Sequence, residues 1–410
     1  MFISIEEAIE RIGAGQFLIV VDDEDRENEG DLIMAAQFVE PEHVNFIERH
    51  ARGMLCVPMD AHRLDELHIT QMVDHNTSRY RTGFTVTVDA KEGTATGISV
   101  HDQAATIRKL VDEEALPGDF LRPGHVQPLR AEPGGVLRRA GHTEAVVDLA
   151  RLSGLFPAGV LCEIKNDDGS MARLPQLEEF SKRHGIPIVT IESLIQYRRK
   201  TEKLVRRVAT TILPTRFGTF VAHAYESDVD DKPYLALTLG DVTKEGVLVR
   251  VHSSCTTGDV FHSLRCDCGH QVEMALRRIK EEGAGVFLYI QQEGRGIGLT
   301  NKLRAYELQD HGKDTVEANR LLGFAPDLRD YGIGTQVLLD LGCKKVRVLT
   351  NNPKKLVGVQ AYGLTVLEQI PLQAPASDHS RGYLETKRVK LGHMLDDCSL
   401  CEGAEQQEAE

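Results

Sequence analysis

Three cysteines lie within fourteen residues of this chain: Cys255, Cys266 and Cys268. Cysteines at such close spacing are typical zinc ligands, and the neighbouring sequence shows no obvious fourth protein ligand. A structural zinc site is closed by four protein ligands, whereas a catalytic site leaves one position open for water. Zinc at an open site lowers the pKa of the bound water towards neutrality and so generates a hydroxide nucleophile. The spacing therefore predicts hydrolytic chemistry.

The cysteines have two other interpretations. They could be buried small hydrophobic residues, or they could be part of a closed zinc site. In the second case, a distant histidine or the pair Cys398 and Cys401 would complete the ligand set.

The sequence around the cysteines predicts alternating strands and helices. The predicted elements are a strand at Val247–Val251, a helix at Gly269–Gly283, a strand at Gly285–Ile290 and a helix at Asn301–Gln309. The loop 291–299 reads Gln-Gln-Glu-Gly-Arg-Gly-Ile-Gly-Leu. Its glycines let the backbone N–H groups approach a phosphate, with Arg250, Arg265 and Arg295 as sources of positive charge. It is not a Walker loop, because no Gly-Lys-Ser/Thr is present; an ordinary turn is the alternative.

Five stretches together resemble the GTP cyclohydrolase II family over residues 206–373. They are Arg250–Cys255, Leu264–Cys268, Gln292–Leu299, Asp314–Asn319 and Leu349–Lys355. This family opens the imidazole ring of GTP and releases formate and pyrophosphate, using zinc and magnesium. The resemblance implies that Cys255, Cys266 and Cys268 are the zinc ligands. It also implies these GTP contacts: Arg250, Val251, His252, Ser253, Ser254, Gln271, Glu293, Gly294, Arg295, Thr315, Thr350 and Lys355.

Three further residues match family positions with a proposed role in the chemistry. Asp327 matches the proposed general base and Arg329 the proposed nucleophile. A guanidinium is nearly always protonated, so a bidentate phosphate clamp is the alternative role for Arg329. Tyr306 would orient the base or a water, or transfer a proton.

The N-terminal half contains a second set of polar residues. A predicted strand at Phe17–Val21 leads into the acidic stretch 22–31. Such a stretch is usually a solvated loop, but carboxylates at short spacing also suit magnesium, and Arg26 could bind a phosphate. A helix is predicted to begin near His142, which places this residue in the first turn, where an anion or metal-bound substrate is favoured. Glu163 is predicted to lie on a strand.

These stretches resemble the 3,4-dihydroxy-2-butanone 4-phosphate synthase family over residues 4–199. The matching segments are 25–31, 96–99, 122–126, 141–145 and 162–164. This family converts ribulose 5-phosphate to the four-carbon phosphate and formate, using magnesium, for which manganese is the alternative. The resemblance implies Glu27 and His142 as metal ligands, and His125 and Glu163 as residues essential to the chemistry. It implies sugar-phosphate or pocket contacts for Arg26, Asp31, Cys56, Arg139, Ala140, Gly141 and Thr143.

Both activities would supply precursors of riboflavin, so the whole chain resembles the bifunctional riboflavin biosynthesis proteins of bacteria and plants. One departure is Gln103, which stands where the synthase family has an arginine near the substrate phosphate. It leaves open an alternative in which the N-terminal half is a catalytically degenerate scaffold. A second alternative is a zinc-stabilised GTP-binding regulator without enzymatic activity.

The length and charge of the chain agree with this interpretation. A chain of 410 residues predicts more than one domain, and the basic stretch 198–207 is the expected boundary. We expect two α+β domains of mixed α/β type in tandem, at 1–199 and 200–375, followed by a C-terminal extension at 376–410 whose acidic tail, from Asp396, is disordered. A net charge of −14 disfavours a nucleic-acid partner. The sequence shows no membrane span or signal peptide, which predicts a cytoplasmic protein with reduced cysteines; the resemblance implies a homodimer.

Overall fold

A computed structural model describes residues 2–324, 331–352, 363–374, 380, 385–389 and 394. The chain divides into two compact units, Met1–Glu202 and Lys203–Glu410. Five of the residues singled out above lie outside the described residues: Asp327, Arg329, Lys355, Cys398 and Cys401.

The first unit is built on a mixed sheet with strand order β4-β6-β3-β7-β2-β1-β8, in which β5 also pairs with β6. Its strands are β1 Leu18–Val21, β2 Gly30–Ala35, β3 Cys56–Met59, β4 Gly83–Phe84, β5 Val88–Ala90, β6 Phe120–Arg130, β7 Gly159–Glu163 and β8 Ile188–Thr190. Its helices are α1 Ile5–Gly13, α2 Pro41–His50, α3 Ala61–Glu66, α4 Val100–Leu110, α5 His142–Leu152, α6 Leu174–His184 and α7 Ile191–Thr201.

Apolar residues bury both faces of the central strands of this sheet. Along β1 and β2, alternate side chains belong to two different hydrophobic clusters, with Ile19 and Leu32 in one and Leu18 and Ile33 in the other. Successive strand residues point to opposite faces, so each cluster occupies one side of the sheet. The two buried layers hold β2 and β7 in place, and the polar residues described below lie at the start of β2 and at the end of β7.

The second unit combines an antiparallel meander with four parallel strands, in the order β15-β14-β12-β13-β11-β10-β9. Its strands are β9 Val205–Thr215, β10 Gly218–Ser227, β11 Tyr234–Leu239, β12 Val247–Ser253, β13 Gly285–Ile290, β14 Lys345–Leu349 and β15 Thr365–Ile370. Its helices are α8 Cys268–Glu282, α9 Gly298–Asp310, α10 Thr315–Leu321 and α11 Gly332–Asp340.

The predicted strand at the centre of this unit is present as β12. It pairs in parallel with β13 on one side and β14 on the other, and it is buried on both faces, as is typical of a parallel strand. From β12 the chain continues to β13 on one side, and later returns to β14 on the opposite side. A crevice opens beyond the carboxyl ends of parallel strands where the order reverses in this way. The fold therefore brings together the residues that follow β12, β13 and β14.

A charged network joins the end of α11 to the first strands of the second unit. The Asp340 carboxylate accepts hydrogen bonds from Lys203 at 2.6 Å, from Arg207 at 2.8 Å and from the Tyr225 hydroxyl at 2.8 Å. Burial acts to raise the pKa of Asp340, but these donors outweigh it and lower the pKa to about 2 from an ordinary 3.8. The network is therefore stabilising above the unfolded pKa, and this contribution is lost as the pH falls towards 2.

We expect Asp340→Asn to lower the free energy of unfolding of the full chain by about 1.5–3 kcal/mol at pH 7, because hydrogen bonds to a charged acceptor are lost. Urea unfolding measured between pH 7 and pH 3 checks this, and the difference from the parent chain should shrink at acid pH. Glu226→Gln is the matched control, since it removes an exposed ion pair with Arg206 on the same hairpin, and it should cost less than about 1 kcal/mol. An equal loss in both variants would contradict the prediction.

Candidate functional site

The three cysteines converge at the start of the crevice in the second unit. One ligand atom from each of Cys255, Cys266 and Cys268 lies within 4.8 Å of the others, and the Cys255 and Cys266 sulfurs are 3.6 Å apart. Cys255 lies two residues after the end of β12, and Cys268 is the first residue of α8. Among the described residues, no other His, Cys, Asp or Glu joins this group. The arrangement fits a zinc ion held by three thiolates with one position left open.

Lys302 is buried beside this group. Its ammonium donates hydrogen bonds to Cys255 Sγ at 3.0 Å, Thr257 Oγ1 at 2.9 Å and Glu293 Oε1 at 2.7 Å. Burial acts to lower the pKa of Lys302, but the negative charges of Cys255 and Glu293 outweigh it and raise the pKa. A permanent positive charge therefore faces the sulfur of Cys255.

Asp259 holds the backbone at Cys255 in place through a hydrogen bond. Its Oδ2 accepts the N–H of Cys255 at 2.9 Å and the hydroxyl of Tyr289 at 3.0 Å, and His252 Nε2 lies 3.1 Å from both carboxylate oxygens. Since Asp259 comes four residues after Cys255, a single helical turn closes this contact. The cysteine backbone is thus fixed by residues of both β12 and β13.

A second polar chain fixes the predicted GTP contacts Arg250 and Gln271. Arg250 donates to the Leu349 carbonyl at 2.8 Å and to Gln271 Oε1 at 2.5 Å. Gln271 in turn donates to Asp267 Oδ2 at 2.7 Å. Asp267 is buried and also accepts from Lys387 at 2.5 Å. These bonds orient the arginine across the carboxyl ends of β12 and β14.

The glycine-rich loop has an unusual backbone conformation. Gly294 has φ 60° and Arg295 has φ 63°, so two consecutive residues are left-handed. Such a conformation is rare for a residue with a Cβ atom, and strained residues of this kind are concentrated at ligand sites. The loop begins directly after β13 and lies at the crevice.

The crevice is a partly open cavity lined by both polar and apolar residues. The residues that line it are Arg250, His252, Ser253, Ser254, Cys255, Cys266, Cys268, Gln271, Gln292, Gly294, Arg295, Ile297, Lys302, Ala305, Tyr306, Gln309, Thr315, Asn319, Thr350, Asn351, Asn352 and Lys387.

The first unit contains a separate acidic cluster with a buried histidine. One ligand atom from each of Asp22, Glu27 and His142 lies within 4.8 Å of the others. His142 Nδ1 is 3.5 Å from Glu27 and 3.8 Å from Asp31. His142 Nε2 and Asp31 Oδ1 are buried without a hydrogen-bond partner among the described residues, and such buried polar atoms are rare unless a ligand or a water binds them. Oxygen atoms and one imidazole fit a hard divalent cation.

The charged groups of this cluster shift one another's pKa values. Burial acts to raise the pKa of Glu27, but the hydrogen bond with His142 and the charge of Arg26 lower it to about 2. Burial acts to lower the pKa of His142, but Asp31 and Glu27 raise it to about 9. For Asp31, burial dominates and raises the pKa to about 7. Strong perturbation in opposite directions marks a candidate functional site.

Basic residues border this cluster. Arg26 donates to Asp22 at 2.9 Å, and its backbone carbonyl accepts the hydroxyl of Tyr80 at 2.6 Å. Arg139 donates to Glu144 at 2.5 Å and to Tyr80 and Thr82. A Cβ atom at Gly141 would lie 2.9 Å from a guanidinium nitrogen of Arg26. Glycine therefore lets both arginines approach the start of α5, where an anion is favoured.

Glu163 and Cys56 lie on the strands next to the cluster. Glu163 at the end of β7 is the cross-strand partner of Asp31 on β2, and its Oε2 accepts the N–H of Met54 at 2.8 Å. Burial, followed by the charges of Glu163 and Asp31, raises the pKa of Cys56. Cys56 is thus a neutral thiol in the wall of the site.

His125 pairs with an aspartate that the sequence analysis did not single out. Asp89 accepts the backbone N–H of His125 at 2.8 Å and lies 2.7 Å from its Nδ1. A carboxylate at this position fixes the orientation of the imidazole ring and leaves Nε2 for chemistry. The His125 side chain is 44% exposed, so its reactive edge is accessible.

Gln103, at the departure from the synthase family, is buried on α4. Its amide donates to Glu48 at 3.2 Å and to the Ile98 carbonyl at 3.1 Å. The neutral side chain thus holds the loop 94–99 in place. An arginine here would face the same carboxylate of Glu48.

Each half of the chain matches a known protein family. Residues 6–197 match the family model for 3,4-dihydroxy-2-butanone 4-phosphate synthase, and residues 206–371 match that for GTP cyclohydrolase II. The riboflavin biosynthesis protein RibBA of Bacillus subtilis is 53% identical over 397 residues, which are 96% of this chain and all of that protein. The chain belongs to the bifunctional riboflavin biosynthesis family.

Other relatives support the same assignment. The RibBA protein of Chlorobium phaeovibrioides is 55% identical and covers 98% of both chains. A crystal structure of RibBX from A. baumannii, described as a two-domain 3,4-dihydroxy-2-butanone 4-phosphate synthase, is 36% identical. It has a TM-score of 0.68 and covers 90% of this chain and 99% of that one.

Membership of this family confirms the main functional prediction. The protein is an enzyme of riboflavin biosynthesis that combines a lyase of the synthase class with a GTP cyclohydrolase II. The fold class of two mixed α/β domains in tandem is also confirmed. The scaffold and regulator alternatives are not favoured by these findings. Among the described helices, none has the length and apolar character that crossing a membrane requires.

Most of the residues predicted for GTP binding line the crevice. Glu293 forms hydrogen bonds with Lys302, which lines the crevice, and with the backbone of Thr256.

Sequence reasoning missed Lys302, Asp259, Asp22 and Asp89 as site residues. Lys302 could have been found, because it lies one helical turn before Tyr306 and on the same face of α9. The sequence around Asp89 gives no comparable indication, because Asp89 lies next to His125 only through the pairing of β5 with β6.

Gly258 allows the cysteines to converge, since a Cβ atom there would lie 2.8 Å from Cys266 Sγ and 3.1 Å from Cys255 Sγ. We expect Gly258→Ala to push the sulfurs apart and to lower both bound zinc and GTP turnover severalfold. Metal analysis of the purified chain measures this. Gly118→Ala is the control, because a Cβ atom at Gly118 meets open space. Full zinc content in Gly258→Ala would contradict the prediction.

Proposed function

We propose that the two ligand clusters are two separate active sites, each with its own metal. Residues 1–199 would convert ribulose 5-phosphate to 3,4-dihydroxy-2-butanone 4-phosphate and formate, with magnesium or manganese on Glu27 and His142. Residues 200–375 would hydrolyse GTP to 2,5-diamino-6-ribosylamino-4(3H)-pyrimidinone 5′-phosphate, formate and pyrophosphate, with zinc on the three cysteines and magnesium on the phosphates. Residues 376–410 would be an extension. The observation that carries the proposal is the contrast between a thiolate cluster in one unit and an oxygen-rich cluster in the other.

In the GTP site, zinc held by Cys255, Cys266 and Cys268 would supply a water activated for hydrolysis. Arg250, held by Gln271 and the Leu349 carbonyl, presents a fixed cation to the nucleotide. Arg295 and the N–H groups of its loop bind phosphate oxygens. Burial raises the pKa of Tyr306 to about 12, so its phenol stays protonated near neutral pH. It therefore acts as a hydrogen-bond donor that orients the base or a water.

In the synthase site, a bound divalent cation would polarise the hydroxyketone of the sugar phosphate. Arg26 and Arg139 lie at the start of α5 and would bind the phosphate together with the backbone at Gly141 and Thr143. Glu163 and the His125–Asp89 pair offer a carboxylate and an oriented imidazole for the proton transfers that enolisation and dehydration require. Asp22 would position Arg26 and the backbone of the metal-binding loop, because it accepts the N–H groups of Glu27 and Glu29.

Family resemblance and the net charge of −14 support a cytoplasmic homodimer without a nucleic-acid partner. Sedimentation equilibrium of the purified chain tests the dimer, and a monomer at micromolar concentration would contradict it.

Selective metal removal tests the assignment of one metal to each site. We expect a zinc-selective chelator of soft-ligand type, in the presence of excess magnesium, to abolish GTP hydrolysis and to leave ribulose 5-phosphate turnover unchanged. Added zinc should restore GTP hydrolysis. Omission of magnesium and manganese should abolish ribulose 5-phosphate turnover in the same preparation. Loss of both activities on zinc removal alone would contradict the assignment.

A further inference from the structure

Lys302 connects the zinc cluster with the glycine-rich loop. Its ammonium has three hydrogens, and three acceptors surround it: Cys255 Sγ, Thr257 Oγ1 and Glu293 Oε1. The side chain is only 11% exposed. A buried lysine with every hydrogen engaged has one geometry available, so it fixes its three partners relative to one another.

The same contacts extend to the turn that follows Cys255. The second carboxylate oxygen of Glu293 accepts the backbone N–H of Thr256 at 2.6 Å and its hydroxyl at 2.7 Å. Lys302 and Glu293 therefore hold the segment 255–257 from α9 and from the loop after β13 at once. A displacement of Lys302 would remove the hydrogen bonds that connect Cys255 and Thr257 with Glu293, in the loop that carries Arg295.

The positive charge of Lys302 also affects the electron density on the Cys255 sulfur. Three thiolates donate much negative charge to a metal ion, which weakens its action as a Lewis acid. A cationic donor 3.0 Å from one sulfur withdraws electron density from that sulfur, and outer contacts of this kind tune metal reactivity. Among the described residues, Lys302 is the cationic side chain with a hydrogen bond to a sulfur of the triad.

We propose that Lys302 is a positioning residue of GTP hydrolysis, which reduces electron donation from Cys255 to the metal and locks Glu293 beside the segment 255–257. The inference rests on the proposed zinc site. It deepens that site by assigning a residue that contacts a metal ligand and the glycine-rich loop.

Cobalt substitution tests the proposal with a readout other than activity. Lys302→Met keeps an unbranched side chain, one heavy atom shorter, and removes its charge and its donors. In the cobalt-substituted full chain, we expect the sulfur-to-cobalt charge-transfer band to move to lower energy than in the parent chain. In the zinc-loaded chain, GTP turnover should fall about 10- to 100-fold, the usual range for an outer-shell partner.

Matched variants separate this role from a structural one. Arg304→Met removes a cation from the exposed face of the same helix, where Arg304 bonds to Asn301, and should change neither the band nor turnover. Lys302→Met leaves the Glu293 carboxylate without its cation and could unfold the loop. The double variant Lys302→Met/Glu293→Gln removes that unpaired charge and should still show the shifted band.

The possible outcomes are distinct. A parent chain without a sulfur-to-cobalt band would overturn the proposed thiolate site itself. A parent band that stays in place in Lys302→Met and in the double variant would overturn only the role of Lys302. A shifted band in both variants, with the parent band kept in Arg304→Met, would support it.

Discussion

Cys266→Ser is expected to abolish GTP hydrolysis and to leave the synthase reaction intact. The Cys266 sulfur lies 3.6 Å from that of Cys255, and a serine hydroxyl is not a zinc ligand of comparable strength. Two remaining thiolates would neither retain zinc nor activate water. We expect zinc content to fall to near zero and formate release from GTP to fall to the detection limit. Ribulose 5-phosphate turnover, measured in the same sample, should match that of the parent chain.

Cys343→Ser is the matched control for this substitution. Cys343 is a buried cysteine of the same unit, and its sulfur contacts the Val242 carbonyl. A serine hydroxyl can make the same contact, so zinc content and GTP turnover should be retained. If Cys266→Ser kept both zinc and turnover, the three cysteines would be buried hydrophobic residues rather than ligands.

His142→Asn is expected to produce the opposite pattern. His142 lies in the first turn of α5, 3.5 Å from Glu27, and its Nε2 has no hydrogen-bond partner. An asparagine side chain is too short to place an atom at the position of His142 Nε2, so it cannot replace the imidazole. We expect ribulose 5-phosphate turnover to fall by at least about 100-fold, the lower end of the contribution of an acid–base or metal-activated group. GTP hydrolysis should be unchanged.

Manganese binding gives an independent measure of the same variant. The electron paramagnetic resonance signal of free Mn²⁺ should report weaker binding by His142→Asn than by the parent chain. His62→Asn is the control, because His62 is an exposed histidine on α3 that pairs with Glu66, and it should bind and turn over normally. Unchanged manganese affinity in His142→Asn would remove this histidine from the proposed metal site.

The predicted elements around the cysteines agree closely with the fold, because hydrophobic periodicity and turn residues define them locally. The strand predicted at Gly285–Ile290 is β13, and the helix predicted at Gly269–Gly283 is α8, which ends before Gly283 at φ 76°. The helix predicted at Asn301–Gln309 begins three residues earlier at Gly298. Its first turn is held by a hydrogen bond from Asn301 to the Ile297 carbonyl, which the apolar pattern does not reveal.

Site residues could be predicted where a short segment carries its own chemical signal. The spacing of Cys255, Cys266 and Cys268 gives a ligand set in one segment, and the glycines of the loop 291–299 indicate a backbone that approaches an anion. The acidic stretch 22–31 was ambiguous, because a solvated loop and a metal loop share the same composition. The approach of Asp22 and Glu27 to the buried His142, about 115 residues away in sequence, supports the metal loop.

The sequence by itself thus determined the ligand types, the order of the elements and the family of each half. The tertiary structure decided which distant residues meet them: Asp89 at His125, Asp31 opposite Glu163, and Lys302 at Cys255. The physical reason is that strand register and helix packing set these contacts, and both arise from burial of apolar side chains throughout a unit. The sequence next to a polar residue therefore does not indicate which distant partner this packing will bring within hydrogen-bonding distance.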